Sequence, residues 1–189
     1  MTYISNISYK ADALNPDQSL KTASYRSFGE YKMLNNSFQT LTLEQNGTGT
    51  FTNNTNRVTM SVTSGQYAII TSKQYHPYFN GRPQVIEMTT AGMGTASNVE
   101  KSIGYISSNS VAPFNSSLDG IRIFKSTTDV YSFQVWRNGT NTQNILRSSW
   151  YDPLDGTGPS GMTINWANFN VFYIDFLYLG GTAVRVMVN

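Results

Sequence analysis

From residue 41 onward the chain alternates apolar and polar positions in short runs, and a period of two places every second side chain on the same face of a strand. Leu41-Thr42-Leu43 opens the series and Asn46-Gly47 closes it as a turn. Arg57 to Thr63 alternates cleanly, which predicts Val58, Met60 and Val62 on one buried face. Ser64-Gly65 then reads as a tight turn, with Gln66 to Ser72 as the returning strand of a hairpin. Gln84 to Thr89, Ser102 to Ser107 and Ile121 to Lys125 follow as further strands. In Val130 to Trp136, the residues Val130, Ser132, Gln134 and Trp136 face one way, and Tyr131, Phe133 and Val135 the other. Asn138-Gly139 is a hairpin turn signal. Phe169 to Leu179 is the most apolar strand, with Phe172, Ile174, Asp175, Phe176 and Leu179 as its core positions; Gly180-Gly181 turns it into a last strand, Thr182 to Val188.

About ten strands with no helix of a dozen residues between them exclude parallel βαβ units. The pattern predicts an all-β chain: an antiparallel, jelly-roll-like β-sandwich over residues 41–189. Residues 1–40 lack this regularity. They are polar with scattered single aromatics (Tyr3, Tyr9, Tyr25, Phe28, Tyr31 and Phe38), and Asn15-Pro16-Asp17 starts one short helix at most. Floppy tails hold fewer aromatics, so this segment is expected to be an extended arm that lies on a neighbouring subunit.

Composition sharpens the picture. The 19 Asn, 21 Ser and 21 Thr replace much of the usual charge, and they are turn and strand formers. A formal charge of +2 with dispersed Lys and Arg excludes the electrostatic footprint of a nucleic-acid binder. No apolar run approaches the length that spans a bilayer, and Met1 to Asn6 lacks the basic start and apolar stretch of a secretory signal. Without Cys there are neither disulfides nor thiolate metal sites. Six sequons, at Asn6, Asn35, Asn46, Asn53, Asn115 and Asn138, are accounted for by the abundance of Asn, Ser and Thr.

Candidate chemistry is sparse. The single histidine, His76, cannot supply a catalytic zinc site. Gly158-Pro159-Ser160-Gly161-Met162 fails as a nucleophile elbow because Met162 stands where the second glycine belongs. Asp152, Asp155 and Asp175 are the carboxylates available for glycoside hydrolysis. The first two sit in a turn where Asp caps backbone, and Asp175 sits mid-strand, where an ion pair with Arg147 or Arg185 is expected. Asp119, Asp152, Asp155 and the many Asn could offer oxygens to calcium, but no D-x-D-x-D-G run accompanies them, and no phosphate loop is present. Trp136, Trp150, Tyr151 and Trp166 offer flat rings for sugar stacking, but core and interface packing uses the same residues and is the favoured reading; Trp136 and Trp166 are the candidate glycan contacts.

The most specific stretch is Trp150-Tyr151-Asp152-Pro153-Leu154-Asp155-Gly156-Thr157-Gly158-Pro159-Ser160-Gly161. It is followed by Trp166, by Phe172 to Gly180, and by Val184-Arg185-Val186. This order resembles a family of uncharacterised virion structural proteins from phages and large DNA viruses. In that family a loop of this kind precedes an apolar strand and a closing Val-Arg-Val strand. Tyr75 to Gly81, the strand ending Glu87 to Thr90, and Ser102 to Tyr105 fall in the family's order, so the likeness spans roughly residues 64 to 188. Two departures stand at the end of the strand: Tyr178 takes the place of a Trp, and Gly181 follows Gly180 directly. The resemblance implies a location in the virion, a β fold, and Trp150, Asp152, Asp155, Gly156, Gly158, Ser160 and Gly161 as a structural loop.

The expectation is therefore a bacteriophage virion protein without enzymatic activity, metal or cofactor. Its role is that of a capsid decoration (cement) or minor capsid subunit. It would form a homo-oligomer, expected as a homotrimer, and contact other virion proteins such as the major shell protein, with no nucleic acid and no membrane as partner. The alternative is a spike or tail-fibre domain that binds host glycans.

Overall fold

The computed structural model describes residues 41–47, 49–54, 57–76, 84–107, 119–177 and 183–188. The expected arm (1–40), Leu179 and the Gly180-Gly181 turn lie outside the described residues, as does the side chain of Phe176. The described chain is all-β and antiparallel, with eleven strands and one short 3-10 turn. It divides into two compact units, Met1–His76 and Pro77–Asn189.

In the first unit, β1 (Leu41–Gln45) pairs with β4 (Ala68–Ser72), and β2 (Thr50–Asn54) pairs with β3 (Arg57–Ser61). The registers Gln45↔Ala68 and Thr50↔Ser61 make these two ladders successive parts of one long hairpin. Residues 46–49 separate the ladders on the outgoing arm and residues 62–67 on the return, so the return arm carries two extra residues. Ser64-Gly65 occupies that excursion, with Gly65 at φ 74.

The expected hairpin between Arg57–Thr63 and Gln66–Ser72 is thereby corrected: the later strand pairs with β1. The cause is Asn46. Its N–H donates to the Tyr67 carbonyl at 3.2 Å, and its Oδ1 accepts from the Tyr67 N–H at 2.6 Å, so both arms are tied across the irregular step. The buried face expected on β3 also needs correction. Val58 and Val62 are half-buried, but Met60 is 50% exposed. A two-stranded ladder has apolar cover on neither face unless another layer is supplied.

The second unit holds two sheets. β5 (Gln84–Ala91), β10 (Phe169–Leu177) and β11 (Ala183–Val188) form one, in the order β11-β10-β5. β6 (Lys101–Ser107), β7 (Asp119–Lys125), β8 (Tyr131–Arg137) and β9 (Thr140–Leu146) form the other as a meander. Asn138 (φ 48) and Gly139 (φ 70) make the two-residue turn between β8 and β9, with the left-handed pair that matches strand twist. The two sheets share one core. Ile123 of β7 and Phe172 of β10 are fully buried with Met93 and Trp166, and Met88, Ile103, Phe133, Val186 and Val188 pack around them. This is a β-sandwich.

Two lysines hold the connection from Gly92 to Val99, which includes Ala96 and Asn98 at positive φ. Lys101 Nζ donates to the carbonyls of Gly92 and Thr95 and to Thr95 Oγ1. Lys125, its register partner, is fully buried; its Nζ donates to Ala96 O at 3.2 Å and Val99 O at 3.3 Å and pairs with Asp129. An ammonium without such partners would cost several kcal/mol to bury. With the Ser126 carbonyl at 3.5 Å, four carbonyl or carboxylate contacts are the reason this one is tolerated.

Candidate functional site

The segment from Trp150 to Ile164 is irregular yet densely hydrogen-bonded. It leaves β9 through a single 3-10 turn, Arg147–Ser149. Asp152 Oδ1 accepts from the Leu154 N–H and Oδ2 from the Ser160 N–H, both at 2.9 Å, closing a ring around Pro153 to Pro159. Gly158 sits so near this carboxylate that a Cβ there would fall 2.2 Å from Asp152 Oδ1. Asp155 Oδ1 accepts from the Thr157 N–H at 3.0 Å and the Thr157 hydroxyl at 2.6 Å. Gly156, at φ 90, donates to Met162 O, and Asp155 bridges Thr163. Ser160 Oγ accepts from the Met162 N–H, and the Gly161 N–H donates to Gly158 O. Leu154, held at φ 55, is fixed through its carbonyl, which accepts from Ile164 N–H and from Arg147.

Arg147 clamps this loop from beneath. Nε donates to Pro153 O and one terminal nitrogen to Leu154 O at 2.7 Å, and the guanidinium lies 5.8 Å from the Trp166 ring. Arg147 thus commits two of its five N–H donors to backbone carbonyls. The residue directly across from the buried Asp175 is Arg185, its cross-strand partner on β11.

The aromatic candidates separate. Trp166 is 6% exposed and lies in the core, stacked on Tyr131 at 4.0 Å and 17°, and 6.0 Å from Phe172. Of its two readings, core packing holds and the role as a glycan contact is corrected: the loop folds back and inserts the indole between the sheets. Trp150 meets its edge at 6.4 Å and donates its indole N–H to Ile145 O, tying the loop to β9. Trp136 is half-buried. Its N–H donates to Gln134 Oε1 at 3.0 Å, and its ring faces the Arg122 guanidinium at 4.9 Å. Tyr151, by contrast, is 91% exposed at the head of the loop.

That arrangement around Trp136 belongs to a polar network on the face of the four-stranded sheet opposite the core. Arg122 Nε donates to Gln134 Oε1 at 2.9 Å, and Gln134 Nε2 donates to Ser132 Oγ and Asn144 Oδ1. Phe124 and Trp136 both lie within 5 Å of the guanidinium. Burial lowers the Arg122 pKa to about 10, still a cation at neutral pH.

A cleft of about 270 Å³ opens beside the loop, lined by Asp129, Val130, Tyr131, Leu146, Arg147, Ser148 and Asp155. Burial raises the Tyr131 phenol above its ordinary value, with the Asp129 charge adding to the effect. The sequence pattern did not single out Tyr131 or the cleft. The signal that was present is Lys125, which shares the parity of Ile121 and Ile123 and therefore had to enter the core side beneath Asp129.

Hydrogen bonds from Ser160 and Leu154 hold the Asp152 carboxyl below the usual range, and those from Thr157 do the same for Asp155. Both are therefore ionised at neutral pH and bonded to their own loop. A glycosidase pair needs one of its carboxyls kept protonated, and these two environments push the same way. Among the described residues no three His, Asp or Glu side chains gather to hold a metal ion, and no helix is long and apolar enough to cross a membrane. Comparison of the chain with protein-family models, curated proteins and solved structures finds no match in any of the three.

Proposed function

We propose that this chain is a structural protein of a virus particle, a decoration or minor capsid subunit that acts through protein–protein contacts and catalyses nothing. The observation that carries the reading is the Trp150–Ile164 loop, the same segment on which the family resemblance rests. Its two carboxylates serve their own backbone, its bends are held by Arg147 and Asp152, and Tyr151 stands almost fully exposed at its head. A rigid loop that presents an aromatic side chain loses little entropy when a partner covers it, which suits a docking element in an assembly. Quantitative mass spectrometry of purified particles of the virus that encodes the chain is the test. A copy number matching the shell subunits or capsomers supports the reading, and absence from the particle overturns it. In such particles Tyr151→Ala is expected to lower occupancy without changing the melting temperature of the free protein.

A further inference from the structure

We infer that the cleft between Tyr131, Arg147 and Asp155 binds one ring of a neutral saccharide. The inference is independent of where in a particle, or in which particle, the chain resides.

Size bounds the ligand first. At about 270 Å³ the cleft lies at or just below the small end of ligand sites, which run from roughly 300 to 1,000 Å³, so it admits a single ring. Its aromatic lining comes next. Tyr131 lines the cleft and is backed by Trp166 at 4.0 Å, nearly parallel, and Trp166 stacks in turn on the buried Phe172. The platform is therefore braced by the core and costs nothing to organise on binding. Val130 and Leu146, 46% and 42% exposed, add apolar side chains to the lining. A pyranose presents one such C–H face to an aromatic ring, and hydroxyls at its edges.

The polar groups decide the ligand's charge. Asp129 is held by Lys125, and Asp155 by Thr157, so both carboxylates are pre-oriented acceptors. Arg147, fixed on Pro153 O and Leu154 O, and the Ser148 hydroxyl bring donors to the same cleft. An anion would meet two carboxylates, and a cation would meet the guanidinium. A hydroxyl both donates and accepts, so a neutral polyol satisfies acceptors and donors together. Neither Trp136 nor Trp166 offers this combination, since one is engaged by Arg122 and the other is buried.

The test is saturation-transfer NMR on the full chain with the methyl glycosides of glucose, galactose and mannose, each at about 10 mM, where a millimolar complex is well populated. The expected result is transfer to the ring C–H protons of at least one of them, reduced at least about tenfold in Val130→Lys. That substitution places an ammonium at the cleft wall from an exposed position, so an unchanged melting curve shows that the fold is kept. Transfer to none of the three overturns the inference. So does transfer that Val130→Lys leaves intact, which would put the sugar elsewhere. Transfer to methylammonium but to no glycoside would also overturn it, in favour of a cation-binding cleft.

Discussion

At the centre of the sheet formed by β6 to β9, strands β7 and β8 bury side chains on both faces, and by opposite means. On one face Ile123 and Phe133, register partners, pack into an apolar core with Phe172. On the other, Arg122 and Gln134, the next pair along the same strands, are just as inaccessible but are joined by hydrogen bonds and by the flanking rings of Phe124 and Trp136. The apolar face gains by removing hydrocarbon from water, at roughly 25 cal/mol per Å². The polar face gains little net per hydrogen bond but loses heavily when one partner is taken away. One face therefore supplies stability, and the other supplies a demand for one arrangement.

The comparison breaks most visibly at the apolar face. Phe172→Ala, which empties the centre of the core, is expected to destabilise the fold by about 3–5 kcal/mol in chemical denaturation. Arg122→Met keeps the stem but removes the donor to Gln134 and the cation between two rings. The expected cost is about 1–3 kcal/mol, and Gln134→Leu in the same background should restore part of it, because removing both partners costs less than removing one. If the double variant is no more stable than Arg122→Met, the network is not the unit described.

The Trp150–Ile164 loop forms a third case, in which the polar groups are exposed. The Asp152 and Asp155 pKa values are depressed in the folded chain relative to the ordinary 3.8. Their contribution is complete above that value, and it is lost as pH falls below about 4 through the lower folded values. Melting temperature is thus expected to drop on acidification through this window, and the slope should flatten in Asp152→Asn. At neutral pH the same variant should lower the melting temperature less than Arg122→Met does. Val130→Lys, outside both faces, is expected to leave the melting curve where it is.

Much of the sandwich could be read from period two alone. The division of β8 into Ser132, Gln134 and Trp136 against Tyr131, Phe133 and Val135 matches the two faces found. The Asn138-Gly139 turn needed only its two residues, because left-handed φ values suit Asn and Gly. What alternation could not convey is whether the polar face meets water. That depends on what covers it, a tertiary matter on which Arg122 is silent in sequence. The Ser64-Gly65 turn forms where its two residues predict it, but the strands on either side of it do not pair with each other. A turn signal marks a bend but not which strands it joins, and the decision lay with Asn46, some twenty residues away, through its bonds to Tyr67. For Trp166 the residue type alone allows both a sugar platform and a core ring, and core packing is what the fold realises, because the loop held by Asp152 and Arg147 turns the indole inward.

The placement of Trp166 has an optical consequence. Of the three tryptophans it alone is sealed in hydrocarbon, face to face with a tyrosine. Its emission should lie to the blue of the other two and resist aqueous quenchers while the two sheets remain together. Should the sheets part, or should a ring settle on Tyr131, the change reaches the indole directly. The molecule thus carries a built-in lamp at the junction of its core, its clamped loop and its cleft.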